Sequence, residues 1–245
     1  MRTFAPSIDV RPASSRLATH AGWLESNHCF SFGNHYDPDN THHGLLLVSN
    51  DDVVRPRTGF DTHPHRDMEI VTWVLDGELE HKDTLGNTGL IYPGLAQRMS
   101  AGRGIWHSEK NNTTDRAVHF IQMWVLPDAG SIDPGYQQLD INQELDKGGL
   151  VPIASGSGHA AAISIRQRGA VLWGGRLKPA EVVRIPDNAF AHVYVARGDV
   201  VLDGAGSLHT GDAVRLTAAG APNLTAGADG AEVLIWEMNA DVYAD

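Results

Sequence analysis

Two short strings carry the ligand chemistry this sequence offers. The first runs from Gly59 to Glu69 (GFDTHPHRDME) and contains His63 and His65; the second, Gly104 to Glu109 (GIWHSE), contains His107 and Glu109. In an extended strand, side chains at i and i+2 share a face, so each pair can aim two ligands at one point. Two such pairs on neighbouring strands of a small barrel would surround that point with three neutral nitrogens and one carboxylate. That donor set suits Fe, Mn, Ni, Cu or Zn and leaves one or two coordination positions open for substrate, oxygen or water. Asp67 and Glu69 share the parity of the first pair and lie near the same face. One His-x-His string alone sits as readily on a surface loop; the matching second pair makes a metal centre the better reading.

The elements that must position these residues read as strands. Short apolar runs such as Glu69–Leu75, Val118–Leu126, Val193–Leu202 and Glu232–Trp236 are punctuated by Gly, Pro, Asn and Asp, the texture of an all-β sandwich, barrel or jelly roll. Only Ile141–Lys147 reads as a short helix. The Gly-, Pro- and Ser-rich stretch Pro127–Gly158 reads as a connection between two halves. Those halves look like divergent copies. Trp73-Val74-x-x-Gly77 aligns with Tyr194-Val195-x-x-Gly198, Pro93-Gly94 with Thr210-Gly211, and Ala101-Gly102 with Ala219-Gly220, at nearly constant offsets. The same offsets carry His63, His65 and His107 onto Arg184, Pro186 and Thr225, so the second copy is expected to hold no metal.

Composition narrows the function classes. The 245 residues are 42% hydrophobic and 20% charged, with a formal net charge of −11, which opposes direct binding to nucleic acid or an anionic membrane. A single cysteine, Cys29, excludes an intrachain disulfide or a Cys-based metal cluster and reads as a small core residue. The N-terminus lacks a signal-peptide pattern and no run of 18 apolar residues occurs, so a cytoplasmic monomer without membrane contact is expected. His20, His28, His35, His42 and His43 read as solvated and His81 as fixing a hairpin. Met99, Trp106 and Phe60 are candidates to line a pocket, and Trp124, Trp173 and Trp236 read as core.

The string GFDTHPHRDMEIVTWVLDGELEHKDTLGN, followed by AGRGIWHSEKNN, closely resembles the pirin family of the cupin superfamily, most strongly over roughly residues 55–127. The resemblance implies a bicupin: two stacked β-barrel or jelly-roll domains, with a metal-binding cupin at residues 1–130 and a connecting segment plus degenerate cupin at 131–245. It implies one divalent metal, Fe(II) favoured with Mn, Ni, Cu or Zn as alternatives, on His63, His65, His107 and Glu109. Typical cupins draw the carboxylate from the position of Glu69; the His-Ser-Glu string matches the pirin form, which favours Glu109. Glu69 and Asp67 are then either supports for ligands or substrate, or plain charges at the barrel mouth.

The activity so implied is a dioxygenase acting with O2 on a small planar polyhydroxylated aromatic such as quercetin. Its 3-hydroxyl and 4-carbonyl would chelate the metal, Glu109 would act as general base, and the heterocyclic ring would open with loss of carbon monoxide. The alternative is a non-enzymatic, iron-dependent redox regulator that binds a protein partner. Another cupin reaction on a different small molecule is a third reading, because one scaffold hosts many functions.

Overall fold

The computed structural model describes residues 4–243. The first strands are Ser7–Arg11 (β1), Leu17–His20 (β2), Leu24–His28 (β3), Leu46–Val54 (β4), Thr58–His65 (β5), Glu69–Asp76 (β6) and Leu79–Asp83 (β7). Thr88–Ile91 (β8), Leu95–Ser100 (β9), Ile105–Asn111 (β10), Val118–Val125 (β11) and Gly135–Asp140 (β12) follow. A single helical turn, Asn142–Leu145 (α1), is what forms within the helix expected at Ile141–Lys147. The remaining strands are Val151–Ser155 (β13), Ile163–Ser164 (β14), Ala170–Leu177 (β15), Val182–Arg184 (β16), Phe190–Leu202 (β17), Gly206–His209 (β18), Ala213–Thr217 (β19) and Asn223–Met238 (β20).

They form three sheets. A seven-stranded sheet runs β12-β9-β6-β11-β4-β3-β2, a four-stranded sheet β5-β10-β7-β8, and a nine-stranded sheet β1-β19-β17-β20-β15-β13-β14, with β16 joined to β20 and β18 to β17. The all-β expectation holds, but the two closed barrels do not form. Each sheet is open: β2 and β12, β5 and β8, and β1 and β14 end their ladders without meeting. At one edge the reason is chemical. β5 contains Pro64, which has no N–H for a further neighbour, and it pairs on one side only, with β10. Sheet membership also crosses chain order, since β1 joins the nine-stranded sheet and β12 the seven-stranded one.

Burial explains the layering. β6 is buried at every residue from Glu69 to Leu75, as befits a strand covered on both faces. Trp73, Ile121, Met123 and Val125 on one side of the seven-stranded sheet share a core with Tyr194, Leu234 and Trp236 of the nine-stranded sheet. Leu79 and Ile91 from the four-stranded sheet pack with Val54, Val74 and Phe120 from the other side. The proposed duplication has a backbone counterpart: Gly77 and Gly198 adopt φ of 78° and 75°, and a Cβ on either would strike the neighbouring strand's carbonyl oxygen, at 2.7 and 2.4 Å.

Asp51, on β4, ties the halves together. Its carboxylate accepts hydrogen bonds from Arg16 Nη1 (2.9 Å) and Tyr194 Oη (2.7 Å) and pairs with His119 Nε2 at 2.6 Å. Burial alone would raise its pKa, but the bonds from His119 and Tyr194 and the charge of Arg16 prevail and hold it at about 2. A carboxyl depressed on folding stabilises above its unfolded pKa, and that stability is lost as pH falls through the folded value. Asp51 is therefore expected to contribute roughly 2 kcal/mol at pH 6, fading between about pH 5 and pH 2. Urea unfolding of wild type and Asp51→Asn across that range checks this: the variant should be less stable at pH 6 and show a shallower loss on acidification. Parallel pH profiles would contradict it.

Candidate metal centre

Strand pairing brings the two sequence-predicted pairs together. In the β5–β10 ladder His107 lies opposite His63, and the register shifts before Glu109 meets Phe60. Gly59 permits the close approach: its φ is 147°, and a Cβ there would lie 2.2 Å from the Glu109 carbonyl oxygen. The rings of His63, His65 and His107 stand 4.5 to 4.9 Å apart between centroids, and one nitrogen of each lies within 4.8 Å of the others. β7 adds His81 from the other side of β10, directly opposite Glu109. His81, His107 and Glu109 form a second, fully buried triad that shares His107 with the first.

Hydrogen bonds set which nitrogens are bare. His63 Nδ1 lies 2.7 Å from the Asp61 carbonyl oxygen, which can only accept, so the proton sits on Nδ1 and Nε2 keeps its lone pair. The same logic runs along a buried chain. Asp83 is held below the usual carboxylate range against the opposing effect of its burial, by hydrogen bonds from Asn87, His81 and Leu85. Its Oδ2 accepts from His81 Nε2 at 3.2 Å, and in a neutral ring His81 Nδ1 then accepts from His107 Nδ1 at 3.3 Å. His107 Nε2 is left bare, and it is a buried nitrogen with no hydrogen-bond partner among the described residues. Burial, reinforced by neighbouring imidazoles, lowers the pKa of His65 to about 4 and of His107 to about 3, so both are neutral at neutral pH. A bare, buried imidazole nitrogen beside two others is the donor chemistry that a single divalent metal fits.

Glu109, two residues further along β10, groups with His81 and His107 and not with His63 and His65, and both its oxygens accept from Gln122 Nε2, at 3.0 and 2.9 Å. Glu69, the other candidate carboxylate, belongs elsewhere: it accepts from Ser100 Oγ (2.8 Å) and the Arg166 backbone N–H (3.1 Å). Asp67 accepts from the Ser131 N–H and holds the connecting segment.

The seven-stranded sheet answers the histidines with a row of polar side chains. His28, Asn50, Gln122, Thr72 and Gln97 stand opposite one another on successive strands, and all are buried. A cavity of about 190 Å³ opens over this row, lined by Leu24, Phe32, Phe60, Asn50, Asp52 and Gln122. Its walls adjoin the cluster at three points: Phe60 lies 6.3 Å from the His63 ring, Phe32 packs on Trp124 and Trp124 on His65, and Gln122 holds Glu109. Asp52 accepts from Ser26 Oγ; burial, with the charge of Glu109, lifts its carboxyl to about 7.

The strand reading missed Gln122 because Val118–Leu126 looks like a plain apolar strand, and it did not single out the segment holding Asn50 and Asp52. The available signal was the polar same-face pair Asn50 and Asp52, with Gln122 inside an otherwise apolar run. His28 is buried rather than solvated, and the half-buried His43 is lowered to about 4 by burial despite hydrogen bonds to the Leu216 and Ala191 carbonyls. Phe60 lines the cavity, whereas Met99 is core and Trp106 is half exposed. Trp236 is core, as expected; Trp124 instead packs against His65.

Relatives share both the chemistry-bearing half and the whole chain. Residues 10–125 match the Pirin family, and residues 152–238 match the family described as quercetinase C-terminal cupin domain. The chain is 57% identical over 235 residues to a Mycobacterium tuberculosis protein named "putative quercetin 2,3-dioxygenase", covering 96% of each. It is 47% identical over 131 residues to the quercetin 2,3-dioxygenase of Escherichia coli K12, 54% of this chain and 57% of that one. The crystal structure of the bacterial pirin YhhW from Escherichia coli in complex with nickel(II) superposes with a TM-score of 0.88 at 33% identity, over 96% of this chain and 100% of that one. This chain is a member of the pirin family.

Proposed function

We propose that the protein is a metal-dependent dioxygenase that opens the heterocyclic ring of quercetin-like flavonols with O2. The metal is held by His63, His65, His107 and Glu109, and Fe(II) is favoured over Mn, Ni, Cu or Zn. The observation that carries this reading is a bare, buried His107 Nε2 beside two neighbouring imidazoles, with a cavity close by whose lining includes Phe32 and Phe60. The names of the relatives point the same way. A divalent metal there supplies Lewis acidity, which lowers the pKa of a chelating hydroxyl and gives O2 a site of reaction.

The chain's own residues do the rest. Glu109 takes the proton from the substrate hydroxyl as general base, and Gln122 holds both carboxylate oxygens in place. Phe32, Phe60 and Trp124 exclude water and offer faces to a planar ring. Asp52, in its protonated form, donates a hydrogen bond to a ring oxygen. In this reading residues 1–130 bear the site, and residues 131–245 brace the sheet beneath it.

Quercetin-dependent oxygen uptake tests the proposal, with metal-stripped protein reloaded in turn with Fe(II), Mn(II), Ni(II), Cu(II) and Zn(II). Uptake should require a metal and fall by about a hundredfold or more in His107→Ala and Glu109→Ala, the scale on which acid–base groups act. Stoichiometric metal binding with no uptake for any ion would overturn flavonol oxygenation and favour a metal-dependent regulator. The Asp83–His81–His107 chain gives a second test. An amide at position 83 can donate to His81, reverse both tautomers and place a proton on His107 Nε2. Asp83→Asn is therefore expected to weaken metal binding roughly 10- to 100-fold in a chelator competition assay. Unchanged affinity would refute the chain's role.

A further inference from the structure

Among the described residues, seven buried side-chain atoms have no hydrogen-bond partner, and three of them cluster away from the metal centre: Arg16 Nε, Arg215 Nε and His192 Nε2. All three residues line one cavity of about 20 Å³, together with Arg11, Cys29 and Asn40. The cavity lies where β1, β17 and β19 of the nine-stranded sheet meet the N-terminal segment, and it has room for one water-sized species.

The charges around it do not balance. Arg11 pairs with Asp9 at 2.8 Å and Arg16 with Asp51 at 2.9 Å, so each has an acid of its own. Arg215 is 6% exposed, and its Nη2 donates only to neutral acceptors, the Cys29 carbonyl and Asn40 Oδ1. Its guanidinium lies 4.5 Å from the centroid of the Phe30 ring, and no carboxylate among the described residues forms an ion pair with it. Burial, with the charge of Arg11, lowers its pKa to about 10 against the opposing charges of Asp9 and Asp37, which leaves it cationic at neutral pH. Asp9 stands opposite Arg215 in the β1–β19 ladder but pairs with Arg11, so the buried guanidinium has no carboxylate in contact, an unfavourable arrangement. His192, kept neutral by burial, can add an N–H to the two from arginine.

We propose that this cavity binds one small monatomic anion, chloride in ordinary solution, as the counter-ion of Arg215. The anion accepts from Arg16 Nε and Arg215 Nε and so joins the N-terminal segment to the nine-stranded sheet. A water molecule in the same place would accept the same N–H bonds but leave the charge uncompensated. The cavity's size rejects larger carboxylates. The site shares only His28 of its lining with the cavity near the metal centre, and its test needs no catalytic activity.

Two measurements decide it. Crystals soaked in bromide should give an anomalous peak at the bromine edge in this cavity. In solution, thermal unfolding is compared at constant ionic strength in sodium chloride and in sodium gluconate, whose anion is too large to enter. Chloride at about ten times its Kd should raise Tm by roughly 4 °C. Arg215→Met should abolish the difference between the salts; if that variant fails to fold, the wild-type comparison still stands. Absence of a bromide peak, or equal Tm in the two salts, would overturn the site and leave a water there instead.

Discussion

The central strands of the seven-stranded sheet, β4, β6 and β11, are buried along most of their length: the nine-stranded sheet packs on one side, and the four-stranded sheet carrying the histidines packs on the other. That double burial constrains every polar group between the layers. Polar side chains on the inner face cannot rely on water, so they pair with one another, with the opposing sheet or with a ligand. The Gln122–Glu109 bonds join the two sheets through polar groups, as does the bond from Asn111 Nδ2 to the Val54 carbonyl, and they fix the carboxylate beside His81 and His107. Hydrophobic packing on the outer face supplies rigidity, and two strands bring three rings to a common point.

The same burial makes tautomers a structural property. In water, an imidazole exchanges its proton between nitrogens freely; behind β10 the Asp83 carboxylate settles the matter through two rings. The front of the cluster is different. His63 and His65 are partly exposed, and the aromatic cavity borders them there. A closed back that orients ligands and an open front that admits a reactant is the division of labour expected of a site that does chemistry rather than one that only stabilises a fold.

The histidine pairs were legible because a strand's two-residue period is the simplest signal a sequence carries, and His63 and His107 do fall opposite each other. The glycine landmarks of the two halves were legible for a related reason, since a left-handed backbone leaves few residue choices. What could not be read was closure. Nothing local in β2 or β14 says whether a ladder continues around to its start, so closed barrels were expected where open sheets form. The exchange of β1 and β12 between sheets and the register shift between His107 and Glu109 are likewise tertiary outcomes. Gln122, Asp52 and His28 acquire their roles from strands far apart in sequence; polar residues on one strand face were the available signal, but the groups they would meet are not a local property.

The proposed metal position lies among His63, His65 and His107 with Glu109, rather than in the overlapping buried triad of His81, His107 and Glu109. A crystal structure of the metal-loaded protein, with anomalous data collected at the metal's absorption edge, separates the two directly. A single peak is expected about 2.0–2.2 Å from the Nε2 atoms of His63 and His107, a ring nitrogen of His65 and a Glu109 oxygen, with His81 Nδ1 still bonded to His107. A peak bound by His81, or none in this region at full metal loading, would contradict it.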